Sequence, residues 1–149
     1  MSAELITGNR IPIEMRRITD GLREGEEKYI LATPSKILSV DLVRTPAREV
    51  ITGETYIANR QEKRGWRRRP IEPVHGSTTR LYSEARDIMQ SAADEHRIPV
   101  LHSFVTTFPS MRAWALALQG GAGIFNWDTV IDNGPGNAFN AFSTIRPKK

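Results

Sequence analysis

The stretch from Pro73 to Gly121 constrains the fold more than any other part of the chain. It reads as the end of a strand, a turn at His75-Gly76-Ser77, a long amphipathic helix, a strand from Ile98 to Thr106, a short helix from Ser110 to Leu118 and a Gly120-Gly121 break. Leu81, Ala85, Ile88 and Ala92 form one row at three- and four-residue spacing, and Tyr82, Met89, Ala93 and His96 an adjoining one. That pattern predicts a helix over Ser77–His96, capped at Ser77 or Thr78. A strand feeding a small-residue turn that opens a helix presents unpaired N–H groups at the positive end of the helix dipole. Phosphates bind such an arrangement.

The flanking segments extend this core. Ile13 to Ala32 is predicted helical, with Ile18, Leu22 and Tyr29-Ile30-Leu31 on one side, although Gly21 and Gly25 each cost about 1 kcal/mol relative to Ala. Pro34 stops it. Lys36–Arg44 and Arg48–Asn59 are rich in Ile, Val, Thr and Tyr, and the short Thr45-Pro46-Ala47 connection predicts an antiparallel hairpin with a bulge at Gly53. Arg60–Arg69 reads as a basic loop, and Pro70–Val74 as a third extended piece before the turn. Ile98–Thr106 is apolar on both rows, which predicts a strand inside a sheet covered on both faces. Ala122–Ile131 and Ala138–Ile145 read as final strands around a loop at Asp132–Asn137. The order predicts an α/β (α+β) domain with a mixed sheet and helices on both faces.

A length of 149 residues fits one domain, 1–149, with a real core. No run of about 18 apolar residues occurs, the start Met1-Ser-Ala-Glu-Leu does not read as a secretory signal, and the expected compartment is cytoplasmic. With no Cys, disulfides, thiolate metal sites and Cys nucleophiles are excluded. His75, His96 and His102 lack a ligand spacing, so no metal site is expected. The net charge of +4 is concentrated in Arg60–Arg69, which holds six basic residues against Glu62. Charge of that density attracts polyanions: nucleic acid, phosphorylated cofactors or acidic peptides.

The order of elements from Pro73 onward resembles the acyl-CoA half of the GNAT N-acetyltransferase superfamily. That family has a pyrophosphate-binding turn, Gln/Arg-x-x-Gly-x-Gly/Ala, opening a helix, then a strand and a short helix of the form Asn-x-x-Ala-x-x-Leu-Tyr ending at a Gly. Gly76 and Leu81 match the first pattern, and Ser110, Ala113, Leu116 and Gly121 the second. Pro73, Thr78, Ser110 and Ala117 depart from it, standing where Gln or Arg, Gly or Ala, Asn and Tyr are usual. The resemblance spans about half the chain. It implies a mostly antiparallel central sheet of about six to seven strands.

The resemblance further implies acetyl-CoA, or a similar CoA thioester, and an amine acceptor. Backbone N–H groups of Val74, His75, Gly76, Ser77, Thr78 and Thr79 would hold the pyrophosphate, with Arg80 as a phosphate contact. The strands ending near Val74 and beginning near Ile98 would splay, so that the pantetheine arm adds to the first like an extra strand. An N–H near Glu72 to Val74 would polarise the thioester, Pro73 having none to give. Glu72 and His102 are the candidate general bases; for His102 the alternative is a core imidazole satisfied by backbone or a Ser. No Tyr follows Tyr82, so a Tyr acid on the second helix is excluded. Trp127 with Asp128 could line an acceptor pocket or pack as strand residues.

Two further readings stand beside acyl transfer. One is a small basic nucleic-acid-binding protein using Arg60–Arg80 with Trp66 as a stacking residue. The other is a GNAT-like domain that binds CoA or a protein partner without catalysis. The apolar strand Ala138–Ile145 leaves edge pairing into a homodimer open.

Overall fold

The computed structural model describes residues 11–118, 123–125, 131–132 and 138–148. Two strands, not a helix, follow Ile13: β1 (Glu14–Ile18) and β2 (Glu26–Ala32), paired antiparallel. The glycines decide this. Gly21 and Gly25 take φ of 75° and 85° in the connection, a conformation open to Gly and closed to a helix interior. A Cβ on Gly25 would meet the Arg44 carbonyl oxygen at 2.7 Å. The apolar residues then serve a two-residue period: Tyr29 and Leu31 turn toward the core cluster, and Lys28 and Ile30 fall on the other row.

β3 (Lys36–Thr45) and β4 (Val50–Asn59) form the expected antiparallel hairpin, closed by a 3-10 turn at Pro46–Arg48. Gly53 is no bulge; it pairs in register with Leu42. It is Gly because a Cβ there would stand 3.2 Å from Leu42 Cδ2 and 3.3 Å from Val100 Cγ1. The basic segment is a second hairpin, β5 (Gln61–Arg64) and β6 (Arg67–Pro70), forming its own two-stranded sheet. Residues 71–74 are not a strand, so the extended piece expected before the turn lies outside the central sheet.

Helix α1 (Ser77–His96) occupies the range that its periodicity predicts, and burial of Leu81, Tyr82, Ala85, Met89, Ala92 and Ala93 follows the two rows. β7 (Val100–Thr107), α2 (Phe108–Leu118), β8 (Gly123–Phe125), β9 (Ile131–Asp132) and β10 (Ala138–Ile145) complete the chain. Arg86 of α1 donates to the Ala117 carbonyl at 2.6 Å, in the last turn of α2, where carbonyls run out of intrahelical partners. Trp127, Asp128, Gly120 and Gly121 lie outside the described residues.

The sheet runs β1-β2-β3-β4-β7-β10-β8, with β9 also on β10. It is mixed and mostly antiparallel: β4–β7 is the parallel pair among the described strands. β10 is no edge strand. It pairs with β7 along its whole length and, on its other side, with β8 at Ser143–Ile145 and β9 at Phe139–Asn140.

Among the described residues both helices lie on one face of the sheet, not on both. Tyr82 of α1 makes edge contacts with Phe104 of β7 and with Trp114 of α2. Leu38, Val40, Leu42, Val100 and Ile145 point to the same side. The opposite face is open: Tyr56 is 70% exposed and Leu101 44%. Leu101 and Ser103, on the second row of β7, therefore reach solvent. The N-terminal segment expected to supply a further helix has formed β1 and β2 instead.

Candidate functional site

β4 and β7 come together as neighbours because α1 carries the chain back across the sheet, the crossover that a parallel pair requires. They pair only from Ile51↔Val100 to Glu54↔Ser103. Beyond that rung β4 continues to Asn59, held along its length by β3, and β7 continues to Thr107, held by β10. Each strand keeps its outer neighbour, and a crevice opens between them. It lies toward the end of the sheet where α1 begins, since Arg60 N–H binds the Ser35 carbonyl and Ser35 Oγ lies 3.1 Å from Ser77 Oγ.

A cleft of about 540 Å³ occupies the crevice and the open face beside it, lined by residues that include Asp41, Glu54, Thr55, Tyr56, Phe104 and Phe142. Asp41 and Glu54 stand directly opposite each other across β3 and β4, as do Ser39 and Tyr56. Like charges in that position destabilise a sheet, and a bound cation relieves them.

The floor is a buried polar chain. Thr55 Oγ1 lies 2.8 Å from His102 Nε2, His102 Nδ1 lies 3.2 Å from Ser143 Oγ, and Trp114 Nε1–H donates to Ser143 Oγ at 2.9 Å. His102 is 1% exposed and packs against the rings of Phe104 and Trp114. Burial pushes its imidazole down to about 3, so the ring is neutral at ordinary pH. Neutral imidazole needs one donor and one acceptor partner, and the two hydroxyls supply both. The structure thus places His102 as a satisfied core histidine bound to Ser143 and Thr55.

The turn before α1 is tighter than its residue types imply. Gly76 adopts φ of 89°. Ser77 N–H and Oγ–H both donate to the Val74 carbonyl, at 3.1 and 2.7 Å, and Val74 N–H donates to Ser35 Oγ at 3.2 Å. The amides of Val74 and Ser77 are therefore spent within the protein. The first helical bond runs from Arg80 N–H to the Gly76 carbonyl, which leaves the N–H groups of Thr78 and Thr79 without an intrahelical partner. Arg80 turns back along the helix, donating to Glu84 at 2.7 Å and to the Ile11 carbonyl at 3.3 Å. His75 is exposed beside the turn, and Glu72 is exposed on the coil after β6.

The strand that splays from β7 is thus β4, not the segment at Glu72–Val74. Ile51 N–H reaches the Pro99 carbonyl on the β7 side. By strand alternation the N–H groups of Ile57 and Asn59 also point that way, past the last rung, into the crevice. Asp41, Glu54, Thr55, Ile57 and Ser143 were not singled out by the sequence. Asp41 and Glu54 carry the one usable signal, as acids on opposing arms of a recognisable hairpin. Among the described residues no group of His, Asp or Glu is arranged to hold a metal ion.

No family model and no curated protein matches the chain. Among solved structures it is similar to the crystal structure of a "putative acetyltransferase" from Sphaerobacter thermophilus DSM 20745, at 10% identity and a TM-score of 0.42, over 99% of this chain and 90% of that one. A likeness of that size does not define a shared fold. The chain's own geometry has to carry the functional reading.

Proposed function

We propose that this protein is a GNAT-type acyltransferase that moves an acetyl or similar acyl group from a CoA thioester to an amine. One observation carries the reading: the parallel strands β4 and β7 part after Glu54 and Ser103, beside the start of a 20-residue helix. An extended thioester arm fits between two such strands, and a diphosphate fits at such a helix start.

The parts of the chain divide the work as follows. The free amides of Thr78 and Thr79, with the α1 dipole, hold phosphate oxygens. Arg80 orients this turn through Glu84 and Ile11. The N–H of Ile57 lies where it can polarise the thioester carbonyl and stabilise the oxyanion that develops on it. Asp41 and Glu54 bind the protonated amine, with the Tyr56 ring beside them. Glu54, directly or through a water, takes the proton that the amine must lose. The nitrogen then attacks the carbonyl carbon; the C–N bond forms, the C–S bond breaks, CoA departs as a thiolate, and the nitrogen releases its second proton to water to leave the neutral amide. A thiol pKa of about 8.5 lets it leave without a protonating Tyr, consistent with Ala117 at the family's Tyr position. His102, neutral and enclosed, holds the Thr55 hydroxyl in the cleft wall and exchanges no proton.

Calorimetric titration of acetyl-CoA into the wild type and the Thr78→Glu variant tests this. An acid in the first turn of α1 favours the helix, by about 0.3–1 kcal/mol, but opposes a diphosphate. The expected result is saturable binding by the wild type, and none by a variant whose thermal stability is equal or higher. Equal binding by both proteins, or none by the wild type, would sink the proposal.

A further inference from the structure

We propose that the β5–β6 hairpin is an arm that binds single-stranded nucleic acid, a role that goes beyond acyl transfer and does not depend on it. The arm is built against its own stability. It is a two-stranded sheet apart from the central one, and none of its residues belongs to the hydrophobic core. Isolated two-stranded hairpins are marginal in water. Its register sets Lys63 against Arg68 and Arg64 against Arg67, two like-charge pairs directly across the strands. Glu62 is set against Arg69 across the strands, at 3.6 Å. A chain of phosphates alongside this hairpin removes the repulsion that its own sequence creates.

The tip identifies the kind of polyanion. The strands are joined by Gly65 and Trp66, with Gly65 at φ of 62° making the reversal. That reversal throws Trp66 outward, 83% exposed, the most exposed large hydrophobic side chain among the described residues. The Arg67 guanidinium lies 5.0 Å from the centre of its ring, so one face carries a cation while the ring remains open to solvent. A flat aromatic surface bordered by cations is a stacking platform for an unpaired base whose phosphates run along the arm. An acidic peptide offers carboxylates but no flat ring to match Trp66. A duplex keeps its base faces covered.

Fluorescence anisotropy of a short labelled oligothymidylate tests the arm in the intact protein. Binding is expected at low salt and should weaken between about 50 and 200 mM, with a log–log slope of about −0.7 per phosphate contacted. Trp66→Ala should lower affinity about tenfold or more at an unchanged slope, as loss of one stacked base predicts. Lys63→Gln with Arg68→Gln should make the slope shallower by about 1.4, two contacts' worth. Both variants should keep the wild-type melting temperature, because the arm lies off the core. Four outcomes would each overturn the proposal. The oligonucleotide fails to bind at low salt. A duplex or inorganic polyphosphate binds as tightly. Trp66→Ala leaves affinity unchanged. Acetyl-CoA displaces the oligonucleotide, which would make the arm part of a cofactor site.

Discussion

Thr55 and His102 meet across the fork where β4 and β7 separate, Oγ1 to Nε2 at 2.8 Å. The two strands share only four register pairs, ending at Glu54↔Ser103. This side-chain bond therefore pins the sheet where its backbone ladder stops. Through Ser143 the same chain reaches β10 and, through Trp114, α2. A buried polar network thus ties the fork together, and such networks are costly when one member is removed.

Ser143→Ala takes away the acceptor for the Trp114 indole N–H and one partner of His102. A buried donor left unsatisfied costs about 1–3 kcal/mol. Urea denaturation should show a loss in that range, with an unchanged m-value. A loss below about 0.5 kcal/mol, ordinary for a surface change, would mean that the network does not hold the fork.

Stability should fall with acidity in a window set by His102. Its folded pKa is about 3, against 6.5 for the free side chain. Between those values the unfolded chain binds a proton that the native state refuses, so stability rises with pH there and is flat above about 6.5. The slope approaches about 1.4 kcal/mol per pH unit inside the window. Asp94, held low first by the Lys148 N–H, loses its contribution only below about 3.8, at the acid end. A pH series of urea melts on the wild type and His102→Gln checks this: the variant should lack the slope between pH 6.5 and the acid limb. Parallel curves would place the titrating group elsewhere.

Much of this architecture was legible because periodicity reports burial directly. α1 is readable from its two apolar rows, and β3 and β4 from their β-branched content. The misreading at Ile13–Ala32 arose because Tyr29-Ile30-Leu31 fits either period, and the two glycines that decide it act through backbone conformation and the approach of Arg44. The site was harder. The hairpin register follows from where the turn closes, and the 3-10 turn at Pro46–Arg48, with Glu49 at φ of 52°, moves that closure to Thr45↔Val50. Only this register brings Asp41 opposite Glu54. Likewise, an N–H bound within a turn has no side-chain signature, so Val74 and Ser77 could not be told from Thr78 and Thr79. Gly76 alone marks the bend.

Gly53→Ala should destabilise the protein although Gly is ordinarily the weaker strand residue. The added methyl would stand 3.2 Å from Leu42 Cδ2, 3.3 Å from Val100 Cγ1 and 3.7 Å from Met89 Cε, between two strands and α1. Overpacking of this kind costs about 1–3 kcal/mol. Met89→Ala in the same chain should recover little of it, since Met89 is the farthest of the three. A thermal midpoint equal to or above that of the wild type would show that the β3–β7 layer yields at this position.

Ile57→Pro separates the proposed oxyanion donor from the rest of the crevice. The Ile57 N–H points toward the gap beyond the last β4–β7 rung, so Pro removes no ladder bond there, the circumstance in which a strand tolerates it. Its side chain is only partly buried against the core, and Ile57→Val controls for the lost packing while keeping the N–H. If this N–H polarises the thioester, kcat should drop about a hundredfold or more, with the KM for acetyl-CoA nearly constant. The Val variant should turn over close to the wild-type rate. A Pro variant that instead loses affinity for acetyl-CoA at full kcat would move the donor elsewhere along the crevice and leave Ile57 a binding role alone.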